Sequence, residues 1–218
     1  AFASNLTSTT AVTCNATSAG ATTINVTGVA TANLVVGDLI SYDGGTSYVR
    51  VANLTATSIG VGSAVGTGGI VVGTAILRKW EYADNFGIAP GTSDYAISQN
   101  AINDEMHVIV IDEDSKFTGS ANTVLEKWAF VSKASDAKSS DGSSNYYKNV
   151  INDKSRYVWW TAHQPGGTNW GTAASGLTFT QVNSNFTASL SAGADGTIGN
   201  ADIIAGYNKF ANPDSVDV

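Results

Sequence analysis

The chain lacks the groups on which several protein classes depend. Only one cysteine, Cys14, occurs among its 218 residues, which excludes an intramolecular disulfide framework. No grouping of cysteine and histidine resembles a zinc ligand set, and no run of about 18 apolar residues could span a membrane. A fold without these supports depends on the packing of its side chains.

Charge is also scarce in this sequence. Charged residues make up 13% of the chain, whereas an average protein has about 25%. The formal net charge is -7 at pH 7, and a nucleic-acid-binding protein instead concentrates Lys and Arg on one face. We therefore expect no nucleic-acid partner. Hydrophobic residues account for 43% of the chain, so we expect it to fold.

The two ends of the sequence suggest a piece of a longer protein. The chain starts at Ala1 with neither an initiator methionine nor a signal-peptide pattern. It ends on the residues 215–218, Ser-Val-Asp-Val, which are typical of a strand that is just beginning. We therefore expect a fragment.

The first 75 residues contain only Asp38, Asp43 and Arg50 as charged groups, and they are rich in Thr, Val, Ala and Gly. Short runs of alternating polar and β-branched residues predict strands. These runs cover residues 22–27, 38–42, 48–51 and 58–61. The Gly-rich stretch 60–69 is typical of turns and bulges, because the strand-to-helix context and the lysine of a phosphate-binding loop are missing.

The Asp-Gly-Gly-Thr turn at residues 43–46 predicts a β-hairpin over Leu39–Val51, since these residues tolerate positive φ. Several short antiparallel strands leave the fewest open edges when they close on themselves. We therefore predict a small antiparallel β-barrel or sandwich as the N-terminal domain.

From about residue 76 the pattern becomes a mixture of strand and helix. Continuous apolar runs predict strands at 106–111 and 124–131, spacing of four predicts a helix over 145–153, and residues 157–160 read as a further strand. The repeat of Ile203, Tyr207 and Phe210 after Asn200 predicts a last helix. The fold class is therefore α+β, with a β-rich domain at 1–80 and a sheet domain covered by helices at 81–218.

Three groups of residues could carry chemistry. Asp112-Glu113-Asp114 could bind a cation or supply an acid and a base, but neighbours on an extended chain point to opposite faces, which favours a turn at a strand end. The second group is the two histidines. His107 lies within an apolar strand and is typical of a core histidine. His163 lies in a loop without a motif that supports catalysis.

The third group consists of the aromatic residues Tyr157, Trp159, Trp160 and Trp170, which could form a platform for sugar stacking. Trp159 and Trp160 face opposite ways in an extended chain, so at least one is expected in the core. The residues alone predict no catalytic site, no metal and no cofactor. They favour a structural or interaction module over an enzyme.

One long ordered stretch is distinctive. It begins with residues 103–114, Asn-Asp-Glu-Met-His-Val-Ile-Val-Ile-Asp-Glu-Asp, and continues with Phe117-Thr118-Gly119 and Val124-Leu125-Glu126-Lys127-Trp128. Further matching segments are 131–138, 141–147 and Tyr157-Val158-Trp159-Trp160. This pattern resembles the tail sheath proteins of contractile-tailed bacteriophages, the myoviruses, strongly over residues 90–160 and more loosely over 186–218.

The resemblance implies a structural protein of the virion tail that is assembled in the bacterial host cytoplasm. Its partners would be other copies of the same subunit, in hexameric rings stacked around the tail tube protein, and contraction would drive genome delivery. Residues 1–75 look like the variable β-rich domain that such proteins carry as an outward-facing insertion. The terminal arms and the C-terminal lattice domain of the family are missing, so we expect the isolated piece to be monomeric with an incomplete sheet edge.

The residues on which a structural role depends are packing residues. The predicted core of the second domain comprises Val108, Val110, Trp128, Phe130, Val158, Trp160, Ile203, Tyr207 and Phe210. Two alternatives stay open. One is an adhesive or carbohydrate-binding β-protein of a cell surface, and the other is a carbohydrate-active enzyme that uses Asp112, Asp114 and the tryptophans.

Overall fold

The computed structural model describes residues 1–164, 167–181, 187–191, 197–209 and 211. The chain divides into two compact units, Ala1–Ala188 and Ser189–Val218. Strands dominate the first unit, and the named strands in the described part of the chain pair antiparallel. The prediction of a mixed helix and sheet protein is confirmed.

Six strands of the first unit pair in a closed order. They are β2 (Thr7–Cys14), β3 (Thr23–Thr27), β4 (Leu39–Ser41), β5 (Val49–Leu54), β6 (Ser58–Val61) and β7 (Ala75–Lys79). Their order is β2-β3-β6-β5-β4-β7, and β7 pairs in turn with β2. We call this arrangement the strand ring. A single helical turn, α1 (Ala30–Asn33), lies between β3 and β4 along the chain.

Alternating side chains fill the interior of the ring. In β3, Ile24 and Val26 are buried, whereas the three residues around them are exposed, as the period of two in a strand requires. Every ring strand supplies at least one member of the same hydrophobic cluster. Burial of each such side chain stabilises the fold by about 1.5–3 kcal/mol. The cluster includes Val12, Ile24, Ile40, Val51, Ile59 and Ile76.

The hairpin predicted over Leu39–Val51 is confirmed as β4 and β5, which pair antiparallel. Asp43 holds the turn, because its carboxylate accepts hydrogen bonds from the Ser41 hydroxyl and from the Ser47 backbone N–H and hydroxyl. Gly44 has a φ of 74°, a conformation that glycine adopts without strain.

Three strands form a separate sheet in the order β1-β8-β9. They are β1 (Phe2–Ala3), β8 (Glu105–Asp112) and β9 (Thr123–Ser132), so both strands predicted in this region are confirmed. The sequence boundary at residue 80 assigned Phe2 and Ala3 to the first domain, whereas they pair with Val108 and His107 of β8. The strand ring therefore lies, along the chain, between two strands of one sheet.

A bulge in β9 changes which residues face the core. Met106 pairs with Val131 and Val108 pairs with Trp128, so one extra residue is inserted on β9 between these pairs. Phe130 takes a φ of 56° there and is 36% exposed. Its assignment to the core is corrected, because the bulge breaks the alternation that would have placed it beside Trp128.

The predicted helix over 145–153 is confirmed as α3 (Tyr147–Lys154). Its buried residues Tyr147, Val150 and Ile151 pack with Met106 and Val108 of β8, so α3 covers one face of the sheet. A shorter helix, α2 (Asp94–Ser98), begins where the Ser93 hydroxyl accepts the Ala96 N–H. Val108 is buried as predicted, and the other predicted core residues of this region, Val110, Trp128, Val158 and Trp160, are half-buried.

The strand predicted at residues 157–160 is wrong. The backbone of Trp160 pairs with a side chain, because the Asn152 amide accepts its N–H at 2.6 Å and donates to its carbonyl at 3.0 Å. The amide of Asn152 thus takes the place of a neighbouring strand.

The second unit contains α4 (Asn200–Asn208), which confirms the last predicted helix. The Asp202 carboxylate caps the N-terminus of α4 by accepting the backbone N–H of Gly199 at 2.9 Å. Ile203 and Tyr207 are 48% and 75% exposed, which corrects their assignment to the core, and Phe210 lies outside the described residues. Helical spacing shows which residues share a face but not whether another element packs on it.

Candidate functional site

His107 is a structural residue inside the sheet. Its Nδ1 accepts the Phe130 N–H at 3.1 Å, and its Nε2 lies 2.8 Å from the Ile88 carbonyl. Because Nδ1 is an acceptor, the ring is neutral and its Nε2–H donates to that carbonyl. The ring stacks on Phe86 at a centroid distance of 4.2 Å, and burial lowers the pKa of His107. The prediction of a core histidine is confirmed.

The acidic triplet Asp112-Glu113-Asp114 begins at the last residue of β8 and leads into a turn. Asp112 is 2% exposed, and its carboxylate accepts the backbone N–H groups of Lys116, Phe117 and Thr118. Burial raises the pKa of this carboxyl, but the hydrogen bonds from Thr118, Phe117 and Lys116 outweigh that effect and lower it overall. Among the described residues, no group of three His, Cys, Asp or Glu side chains could hold a metal ion.

The structure does not bring the aromatic residues together into one platform. Trp170 is 4% exposed and Trp159 is 68% exposed. Trp160 lies between them in burial and packs against Phe2 and Tyr147. Sugar stacking requires exposed ring faces, and among these tryptophans only Trp159 offers one.

His163 contacts the helix that covers the sheet. Its Nδ1 lies 2.6 Å from the hydroxyl of Tyr147, which is fully buried. Burial raises the pKa of Tyr147, so this hydroxyl stays protonated, and it forms a hydrogen bond with the imidazole. The pair fixes the loop after Trp160 onto α3.

A buried polar cluster lies where β8 begins and β9 ends, and the sequence did not reveal it. Asp104 is fully buried and accepts hydrogen bonds from the Ser93 N–H, the Ser93 hydroxyl and the Ser132 hydroxyl. Lys133 is also fully buried, and its backbone N–H donates to the Asp104 carbonyl. We call Ser4, Ser93, Asp104, Ser132 and Lys133 the buried polar cluster.

The ammonium of Lys133 has weak partners. It lies 3.4 Å from the Ser4 hydroxyl and 3.3 Å from the Thr180 carbonyl, and it sits over the Trp170 ring at 5.4 Å. Burial lowers the pKa of Lys133 to about 8, against a smaller upward effect of Asp104. A partly neutral lysine beside a serine is the arrangement of a nucleophilic pair, but Ser4 and Lys133 have no exposed surface. The cluster therefore joins segments and presents no nucleophile to solvent.

The comparisons with known proteins add no relative. Neither a protein-family model nor a curated protein nor a solved structure matches the chain. In the residues that the structure describes, no helix has the length and apolar character needed to cross a bilayer.

Proposed function

We propose that this chain is part of the sheath of a contractile phage tail, in which it serves as a structural subunit. The observation that carries the proposal is the ordered segment from Asn103 to Trp160, which resembles the tail sheath proteins over several consecutive motifs. In the assembled virion, copies of the subunit would form hexameric rings stacked around the tail tube. Contraction of that lattice would deliver the genome.

The use of the motif residues supports a structural role. This segment contains four buried ionisable side chains that could act in catalysis or binding, those of Asp104, His107, Asp112 and Lys133. The polar atoms of each side chain form hydrogen bonds within the chain. Motif residues used in this way build a rigid element, which is what a subunit that transmits force requires.

The position of the strand ring in the chain supports a second proposal, that the strand ring is an inserted domain. The ring occupies residues 7–79, between β1 and β8 of one sheet, as an inserted domain would. We propose that it is a small β-barrel that faces outward, and that the sheet with its helices is an incomplete sheath domain at about 81–218. The exposed side of the strand ring is rich in Thr, Ser and Asn and carries few charges, so uncharged polar groups supply most of its solvation.

Electron microscopy of the purified protein tests the proposal. Hollow, helically striated tubes or stacked rings are expected when the protein is concentrated alone or with tail-tube protein. Dispersed monomers under both conditions would overturn the proposal. Binding of the same dispersed protein to a glycan array would instead favour an adhesive β-protein.

A further inference from the structure

Along the chain, the strand ring is connected to the three-stranded sheet by residues 4–6 and by residues 80–104, which include a helical turn (Ala83–Asn85) and α2. Both the ring and the sheet belong to the compact unit Ala1–Ala188. A domain attached in this way can swing on its connections unless specific contacts hold it. The contacts around residues 79–84 decide which behaviour applies.

Trp80 anchors the second connection. It follows directly after β7 of the ring, is fully buried, and belongs to a hydrophobic cluster with Ala3 of β1 and Ile109 of β8. Its ring stacks on Phe86 at a centroid distance of 5.6 Å. The backbone N–H of Trp80 donates to the backbone carbonyl of Leu6 at 2.8 Å, which ties the two connections to each other.

Glu81 links the ring to this anchor. Its carboxylate pairs with Arg50 of β5 at 3.0 Å and accepts the Thr187 hydroxyl at 3.2 Å. Gly37, which precedes β4, lies so close that a Cβ there would be 2.8 Å from the carboxylate oxygens. A second ion pair joins Lys79 at the end of β7 to Asp84 at 2.7 Å.

We propose that these contacts form a clamp that mounts the strand ring rigidly on the sheet, so that both move as one body. Trp80 supplies the anchor because it is fully buried, and Glu81, whose side chain is 10% exposed, forms an ion pair that solvent screens only in part. The Glu81 carboxylate sets the angle of the ring, because it contacts Arg50 and Gly37 at once. The inference does not depend on the sheath assignment, but in a sheath it would make the ring follow each movement of the subunit.

A distance measurement between two spin labels tests the clamp. Labels at Thr67→Cys in the ring and Ser140→Cys in the sheet region use exposed positions, and the native Cys14 is 1% exposed and does not compete. Pulsed electron spin resonance should give one narrow distance distribution. A broad distribution in the otherwise unaltered protein would overturn the rigid mount.

Two glycine variants distinguish the effect of displacing the Glu81 carboxylate from the effect of backbone strain. Gly37→Ala and Gly73→Ala both place a side chain at positive φ, 99° and 83°, but a Cβ at position 73 meets no atom within 4 Å. Gly37→Ala displaces the Glu81 carboxylate and should broaden or shift the distribution, whereas Gly73→Ala should leave it unchanged. Identical distributions in the two variants would overturn the role of Glu81.

A double variant keeps the test valid if Gly37→Ala does not fold. Arg50→Gln combined with Glu81→Gln removes the ion pair without touching a glycine, and it should also broaden the distribution. An unchanged distribution in this double variant would contradict the proposal.

Discussion

The strand ring and the three-stranded sheet solve the problem of stability in different ways. The ring encloses a continuous hydrocarbon cluster, and its fully buried charges are the pair Asp38 and Arg78, 2.6 Å apart. The sheet region instead buries His107, Asp104 and Lys133 among its apolar residues. The strand ring therefore depends mainly on apolar burial around this buried ion pair, whereas the sheet region buries several polar groups whose hydrogen bonds join segments distant in the chain.

This difference has a physical consequence for substitution. A hydrocarbon core loses stability in proportion to the volume removed, whereas a buried polar group that loses its partner costs the full penalty of an unsatisfied charge or hydroxyl.

Asp104→Ala should lower the free energy of unfolding by about 3–5 kcal/mol. The substitution leaves the Ser93 and Ser132 hydroxyls without their acceptor and removes the carboxylate near Lys133. Urea unfolding followed by tryptophan fluorescence measures the change. Asp114→Ala, at an exposed position two residues beyond β8, is the control and should lie within about 0.5 kcal/mol of the unaltered protein. Equal effects of the two substitutions would contradict the importance of the buried polar cluster.

Ile59→Ala tests the ring by the same method. Ile59 is fully buried in the hydrocarbon cluster, so the loss should be about 2–5 kcal/mol from burial and cavity formation. Calorimetry should still show a single transition, because the clamp couples the ring to the sheet. Separate transitions for ring and sheet would contradict the coupling.

Lys133→Met should remove a pH dependence. The folded pKa of Lys133 is about 8, below its ordinary value of 10.5, so between these values the unfolded chain binds more protons than the folded one. The destabilisation caused by this buried lysine should therefore fall by about 3 kcal/mol as the pH increases through this range, so the stability of the unaltered protein relative to Lys133→Met should rise by that amount. The difference between the unaltered protein and Lys133→Met isolates this group from the tyrosines and Cys14. A constant difference from pH 7 to 10.5 would contradict the burial of a charged lysine.

Trp159→Ala should have the smallest effect, within about 0.5 kcal/mol, because its side chain is 68% exposed. Trp170→Ala is the matched substitution in the core and should cost about 3–5 kcal/mol. Thermal unfolding of the two variants compares them directly. A large loss for Trp159→Ala would mean that this ring packs against part of the chain.

The ring was largely predictable because its signals are local. The strands β3 to β6 follow from alternation within a few residues, and Asp43 with two glycines fixes the hairpin. The strands β2 and β7 were not predicted. In β2 the buried residues Val12 and Cys14 lie in a run dominated by Thr and Ser, and β7 lies where the sequence pattern changes.

The sheet region was predictable in its elements and not in its contacts. Phe130 is displaced by a bulge, and Trp160 pairs with the Asn152 amide, and neither event leaves a trace in local periodicity. The burial of Lys133 depends on Ser4 and Trp170, which lie far away in the sequence. No pattern around residue 133 could have indicated those partners.

The most direct test of the structural role is a cryo-electron microscopy reconstruction of tubes formed by the purified protein. We expect six subunits in each stacked layer of the tube. The strand ring should lie at the largest radius and the segment 103–160 nearer the tube axis. A matched sample lacking residues 7–79 should lose only the outer density. Density for the strand ring at the lumen, or particles without helical or ring symmetry, would contradict the account.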